Sequence, residues 1–187
     1  MRLFLAINLP FDVRRDVVAA TGPLRDCAPE LGWVDEARLH LTLKFLDDQP
    51  PDTAEAVRAA TAGIAGRHRE LTMHLGGIGA FPNFRRSRVV WMGVEHDPRL
   101  ELLHNDIEVA FEALGFDVDG RPFRPHLTLA RVKHPLSEER VGAFAEAARG
   151  VDYGVDVVVQ SLDLMQSELG PGGSTYSTVA SAALRSE

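Results

Sequence analysis

A single cysteine, Cys27, stands among the 187 residues, so no disulfide can close within the chain and nothing points to an oxidising compartment. Long apolar runs are missing too. The run Leu3 to Ile7 is broken by Asn8, Pro10 and Asp12 before a signal-peptide core can form, and no stretch nears the roughly 18 apolar residues of a membrane-spanning helix. No membrane association is expected, and the chain reads as cytoplasmic. Basic charge is in deficit: 20 Lys and Arg face 27 Asp and Glu, for a net charge of −7. That balance argues against a protein that coats long nucleic acid, which takes a broad basic surface. It leaves room for a short phosphate-bearing end held by a few local cations. The chain also lacks a G-x-x-x-x-G-K-[ST] phosphate loop, an H-E-x-x-H word and any Cys/His cluster with zinc spacing.

What is present is an alternation of strand and helix signals without a linker, the composition of an ordinary globular protein. Arg2 to Leu9 reads as a strand, and a helix comes next with Val13, Val17 and Ala20 on one face until Gly22-Pro23 disturbs it. Leu39 to Leu46 reads as a second strand. Asp52 and Glu55 suggest a capping box for a helix burying Val57, Ala60 and Ile64. Strands are expected over Leu71 to Ile78 and Arg88 to Glu95, around the loop Phe81 to Arg86. A helix with the stripe Leu100, Leu103, Ile107, Phe111 and Leu114 ends at Gly115. Phe123 to Val132 reads as a strand, Ser137 to Gly150 as a helix, and Val155 to Gln166 and Thr175 to Leu184 as closing strands around a turn at Gly170-Pro171-Gly172-Gly173.

The four-letter word HLTL occurs twice, at His40-Leu41-Thr42-Leu43 and His126-Leu127-Thr128-Leu129, each time in a strand that precedes a helix. Alternation in a strand puts His40, Thr42 and Lys44 on one face and Leu41, Leu43 and Phe45 on the other; His126 and Thr128 likewise share a face. One copy is adequately explained as a half-buried strand. Two copies at equivalent places in two halves of the chain suggest pseudo-symmetric lobes that bring two imidazoles and two hydroxyls to one cleft. Imidazoles titrate near neutrality and can serve as acid and base in one turnover, while hydroxyls can donate to phosphate oxygens that gain charge in the transition state. In outline this is phosphoester chemistry without a metal, since the two histidines offer fewer ligands than the three or four a zinc site takes.

The paired H-x-T-x words resemble the signature of the 2H phosphoesterase superfamily. The surroundings are similar to its RNA 2′,3′-cyclic phosphodiesterases, also called 2′-5′ RNA ligases: "RLFLAINLP" at the start, "GWV" before "LHLTLKFL", then "RVVWMGVE", "RPFRPHLTLARVK" and "LDLMQSELGPGGSTYS". The resemblance implies an α/β (α+β) fold over residues 1–187 as one bilobal, pseudo-two-fold domain, its two mostly antiparallel sheets lining a central groove with helices outside. It implies His40 as proton donor, His126 as proton acceptor, and Thr42 and Thr128 as phosphate holders. It further implies hydrolysis of RNA 2′,3′-cyclic phosphate ends to 2′-phosphates, with ligation through a 2′-5′ bond as the reverse reaction, no ATP, no metal and no cofactor.

Further binding residues are expected around this core. Arg131 matches an arginine of the second motif and can pair with a phosphate, although strict alternation puts it on the Leu127 face, so a bulge, a strand end or a long reach is required. Lys44 shares parity with His40. Phe84 and Arg85, in the loop with Arg86, suit stacking on a base and holding a phosphate. Arg121 and Arg124 can add positive charge. The expected partners are RNA ends or small nucleotides bearing a 2′,3′-cyclic phosphate, met by a monomer needing no protein partner. Two alternatives remain at this point: an RNA-end or nucleotide binder that uses the groove without turnover, and a structural α/β module whose HLTL strands merely pack.

Overall fold

The computed structural model describes residues 1–170 and 173–186. The first strand, β1 (Arg2–Asn8), is buried on both faces from Leu3 to Ile7, which explains why its apolar run shows no polar alternation. In chain order come α1 (Phe11–Ala20), α2 (Gly22–Cys27), β2 (Gly32–Trp33), β3 (His40–Asp48), α3 (Pro51–Ala65), β4 (Leu71–Phe81), β5 (Val89–Val94), α4 (Pro98–Glu112), β6 (His126–Arg131), α5 (Glu138–Arg149), β7 (Gly154–Val159), β8 (Ser161–Gly170) and β9 (Gly173–Ala183). Among the described residues no helix is long and apolar enough to cross a membrane.

The strands form an antiparallel path in the order β7-β4-β5-β6-β3-β1-β8-β9, with β2 on the edge of β6. One half of the path is β7-β4-β5-β6 and the other is β3-β1-β8-β9. They join where Leu41 of β3 pairs with Leu127 of β6. The two expected sheets are thus the halves of one continuous curled sheet. Below both halves runs a shared core that includes Leu5, Leu41, Met92, Leu103, Ile107, Leu127 and Leu164. Each such fully buried side chain contributes roughly 1.5–3 kcal/mol relative to exposure, so the junction is held from beneath.

The single closing strand expected over Val155 to Gln166 is two strands. Only Gln160 separates β7, which pairs with β4, from β8, which pairs with β1 in the opposite half. A path whose distant members are one residue apart in sequence must curl until they approach. The chain end closes the gap: Leu184 N–H donates to Gln160 O at 2.8 Å, and Arg185 N–H to His68 O at 2.9 Å.

Helix ends differ from the sequence expectation in two places. Asp52 lies inside α3, whose N-cap is Pro50 with no side-chain cap bond, because Pro51 already supplies the pre-set first turn, so no capping box forms. The side-chain cap is instead at α4, where Asp97 accepts from Arg99 N–H at 2.7 Å and Leu100 N–H at 3.3 Å. The α4 stripe is buried from Leu100 to Phe111, while Leu114 falls past the helix end and is 42% exposed. Gly115 does end the helix, at φ +89°, a conformation open to glycine. The expected turn at Gly170 to Gly173 includes residues outside the described ones; β8 and β9 pair as far as Gly170 and Gly173.

Candidate active site

The site grows from the junction. Leu41 and Leu127 are both fully buried and lie opposite each other. Carrying that antiparallel register one residue either way sets His40 opposite Thr128 and Thr42 opposite His126, all on the face away from the leucines. The two imidazoles occupy one diagonal of this square and the two hydroxyls the other. The repeated word is therefore brought together with itself.

Each imidazole is held by the same device. His40 Nδ1–H donates to Arg38 O at 2.8 Å, and His126 Nδ1–H donates to Arg124 O at 2.6 Å. A carbonyl can only accept, so Nδ1 carries a proton in both rings and Nε2 is the nitrogen left to face the groove. His40 Nε2 lies 3.1 Å from Thr42 Oγ1. Aromatic rings flank both: Phe4 and Tyr176 at 5.0 and 5.3 Å from His40, Phe81 and Trp91 at 5.0 and 6.4 Å from His126. The environments are unequal, however. Burial pushes the His40 pKa below the usual histidine value; the bond to Arg38 opposes this, and the charge of Arg131 adds to the lowering.

A bulge at the same letter of both words redirects the residues after it. In β3, Ala6 pairs with Thr42 but Leu5 pairs with Lys44, which leaves Leu43 as an extra residue. Leu43 and Lys44 both turn inward, and Phe45, 64% exposed, returns to the His40 face against Phe4. Lys44 is therefore not in the groove. Its ammonium donates to both carboxylate oxygens of Glu108, at 2.9 and 2.8 Å, and to Asp117 O at 2.8 Å, so all three donors are engaged in the interior. In β6, Trp91 pairs with Thr128 but Val90 pairs with Ala130, leaving Leu129 extra. Leu129 and Ala130 are both buried, and Arg131 regains the face of His126 and Thr128. Alternation alone puts Arg131 on the wrong side; the bulge supplies the required shift, and the effect of its charge on His40 agrees with this placement.

The loop residues divide. Phe84 does not present its ring to a ligand: it packs on Phe144 of α5 at 6.1 Å between centroids, because an aromatic on a short turn over the apolar face of a helix gains by burial. Arg85 is exposed on the same turn and lines a cleft beyond the end of β6. Arg121 is neutralised by Asp119 at 3.1 Å. Arg124 lines a cavity of about 340 Å³ beside His126, together with Phe81, Trp91, Phe123 and Glu101, within the range of small-molecule sites. Four other histidines have partners of their own: His68 with Asp106, His74 with Asp156, His104 stacked on Phe123 at 3.8 Å, and His96 with Glu101, a pair that lines the same cavity as His126. Among the described residues no three of His, Cys, Asp and Glu gather as a metal group would require.

Phe4, Tyr176, Phe81 and Trp91 do not stand out in the sequence, since only strand register brings them beside the histidines. Arg38 and Arg124 do carry a signal. The repeat extends two residues upstream, as R-L-H-L-T-L and R-P-H-L-T-L, and those arginines provide the carbonyls that fix the rings.

An antiparallel sheet in two halves, with one H-x-T-x word on each side of their junction, defines a 2H phosphoesterase. The chain belongs to the 2′-5′ RNA ligase superfamily, whose family model matches residues 13–171. It is 34% identical to an RNA 2′,3′-cyclic phosphodiesterase of Thermus thermophilus over 100% of this chain and 92% of that protein. It is 30% identical to one of Methanothermobacter thermautotrophicus over 94% and 95%. A relative of the same name from Geobacillus stearothermophilus is 34% identical over 68% of this chain, and the match spans 41% of that protein's length. Among solved structures, one from Thermus thermophilus superposes with a TM-score of 0.83 at 31% identity, covering 100% of both chains. The E. coli protein LigT complexed with 3′-AMP superposes at 0.73 and 30% identity, covering 98% and 97%.

Proposed function

We propose that the protein hydrolyses RNA 2′,3′-cyclic phosphate ends to 2′-phosphate ends, acting as a monomeric cytoplasmic enzyme in which each half of one domain contributes one HLTL strand. The observation that carries this reading is the junction itself: two tautomer-fixed imidazoles and two hydroxyls alternate around one square of an antiparallel register. The names of the relatives support the substrate class.

In this mechanism His126 Nε2 takes a proton from water, whose oxygen attacks phosphorus. The bond from phosphorus to O3′ breaks, and His40 Nε2–H gives its proton to O3′, leaving a 2′-phosphomonoester. Thr42 and Thr128 donate to the non-bridging oxygens as charge builds there, and Arg131 balances the phosphate. His40 must enter protonated, yet burial and the charge of Arg131 favour its neutral form. The anionic substrate reverses that preference, so His40 gains its proton as the phosphate arrives. With a 5′-hydroxyl RNA end in place of water, the reversed path joins strands through a 2′-5′ bond without ATP.

The test is incubation with an RNA oligonucleotide ending in a 2′,3′-cyclic phosphate, with EDTA present. The expected product carries a 2′-phosphate. Binding without turnover, a 3′-phosphate product, or activity abolished by EDTA contradicts the reading.

A further inference from the structure

Four cations stand together where β6 leaves the sheet. Arg85 and Arg86 lie on the turn between β4 and β5, Arg88 on the lead into β5, and Lys133 just past β6; with Val132 and Pro135 they line an open cleft of about 430 Å³. None of the four forms an ion pair with a described residue, whereas Arg2, Arg38, Lys44, Arg99, Arg121 and Arg140 all do. In a chain of net charge −7, four uncompensated cations around one cleft are a local reversal of sign.

The cleft is built on anchored backbone. Asn83 Oδ1 accepts from Arg86 N–H at 3.1 Å, Phe84 fastens the turn to α5 through Phe144, and Val132 N–H donates to Arg88 O at 2.9 Å. Phe84, turned inward, thus acts as the peg that holds Arg85 and Arg86 outward. The cleft also lies on the line of the site: β6 runs from His126 through Thr128 to Arg131, and Val132 and Lys133 follow directly beyond its end. At about 3.3 Å per residue, β6 alone spans roughly 16 Å from His126 to Arg131, and the cleft lies beyond its end, farther from His126 than one nucleotide spans.

We propose that this cleft is a second phosphate-binding site, which holds the backbone of the RNA strand that leads to the cyclic end, several nucleotides from the reacting phosphorus. The inference rests on the RNA-end reading above and adds to it that the natural substrate is a chain rather than a cyclic mononucleotide. Contacts to backbone phosphates carry no sequence information, so the cleft selects for length without selecting bases.

The experiment compares two substrates, a 2′,3′-cyclic mononucleotide and a hexanucleotide ending in the same cyclic phosphate, with the native protein and with Arg88→Ala/Lys133→Ala. Neither side chain forms an ion pair with a described residue, and the mononucleotide rate reports on the integrity of the fold and of the histidine site. The expected result is a hexanucleotide preference in kcat/KM of at least tenfold for the native protein, most of it lost in the double variant. Binding of a labelled hexanucleotide should also lose about 1.4 from the slope of log K against log salt, for two phosphate contacts removed from a single strand. Equal kcat/KM for both substrates in the native protein, or an unchanged preference and salt slope in the variant, overturns the second site. If neither substrate is hydrolysed, the catalytic reading fails, and the binding measurement still decides the cleft.

Discussion

Leu41 lies opposite Leu127 at the point where the two halves of the sheet join, and the square of two histidines and two threonines is the reverse side of that pair. Both leucines are fully buried in the shared core. Packing beneath the junction therefore sets the spacing above it. Leu127→Ala is expected to cost about 2–5 kcal/mol in urea unfolding. It should also slow turnover of the fraction that remains folded, because β6 is no longer pressed against its neighbour. A loss of stability with native turnover per folded molecule would separate the two faces and contradict this coupling.

The hydroxyls carry their own test. Thr42→Val and Thr128→Val keep shape and remove a donor that acts on charge formed in the transition state. Each is expected to lower kcat by about 10²-fold or more with little change in KM. A rise in KM at constant kcat would mean that the threonines bind the ground state alone.

His40 and His126 come from identical words, yet burial distinguishes them. NMR titration of the free protein should place the His40 pKa below the usual histidine value of about 6.5, and Arg131→Ala should raise it by removing a like charge. The unfolded chain then binds more protons than the folded one from about pH 6.5 down to the folded pKa. This residue's share of stability is complete above 6.5 and is lost as pH falls through that window. A His40 pKa at or above the usual value, or one unmoved by Arg131→Ala, contradicts the assignment.

Lys44 tests the bulge. With side-chain exposures of 4% and 11%, Lys44 and Glu108 form a buried pair, and Lys44→Met leaves a buried carboxylate without its partner. The expected cost is about 3–5 kcal/mol, with much of it restored in Lys44→Met/Glu108→Leu. Activity per folded molecule should stay near native in both variants. A selective rise in KM for the phosphate substrate would return Lys44 to the groove.

Much of this site is legible in residue order. His40 and Thr42, or His126 and Thr128, share a face by simple alternation, and their repetition implies two halves. Alternation fails one residue later, because the bulges at Leu43 and Leu129 are properties of pairing with β1 and β5, and nothing in the letters L-K-F or L-A-R announces them. Alternation alone therefore points Lys44 outward and Arg131 inward, the reverse of their positions. The break at Gln160 is hidden for a related reason: Val155 to Gln166 is one β-favouring stretch, and only the curl of the sheet decides that its two ends pair with different halves. Phe84 illustrates a third limit, since an aromatic in a loop is equally able to stack on a base or on Phe144 until α5 is in place.

The central claim is that His40 and His126 act on the same phosphorus as one unit, and a double-mutant cycle on single-turnover hydrolysis of a cyclic-phosphate RNA tests it most directly. Each of His40→Ala and His126→Ala should lose about 10² to 10⁴ in rate while still folding, since neither imidazole belongs to the main core cluster. The double variant should be scarcely slower than the slower single, as for groups that work together. Losses that multiply across the cycle, or native turnover in either single variant, would contradict the account.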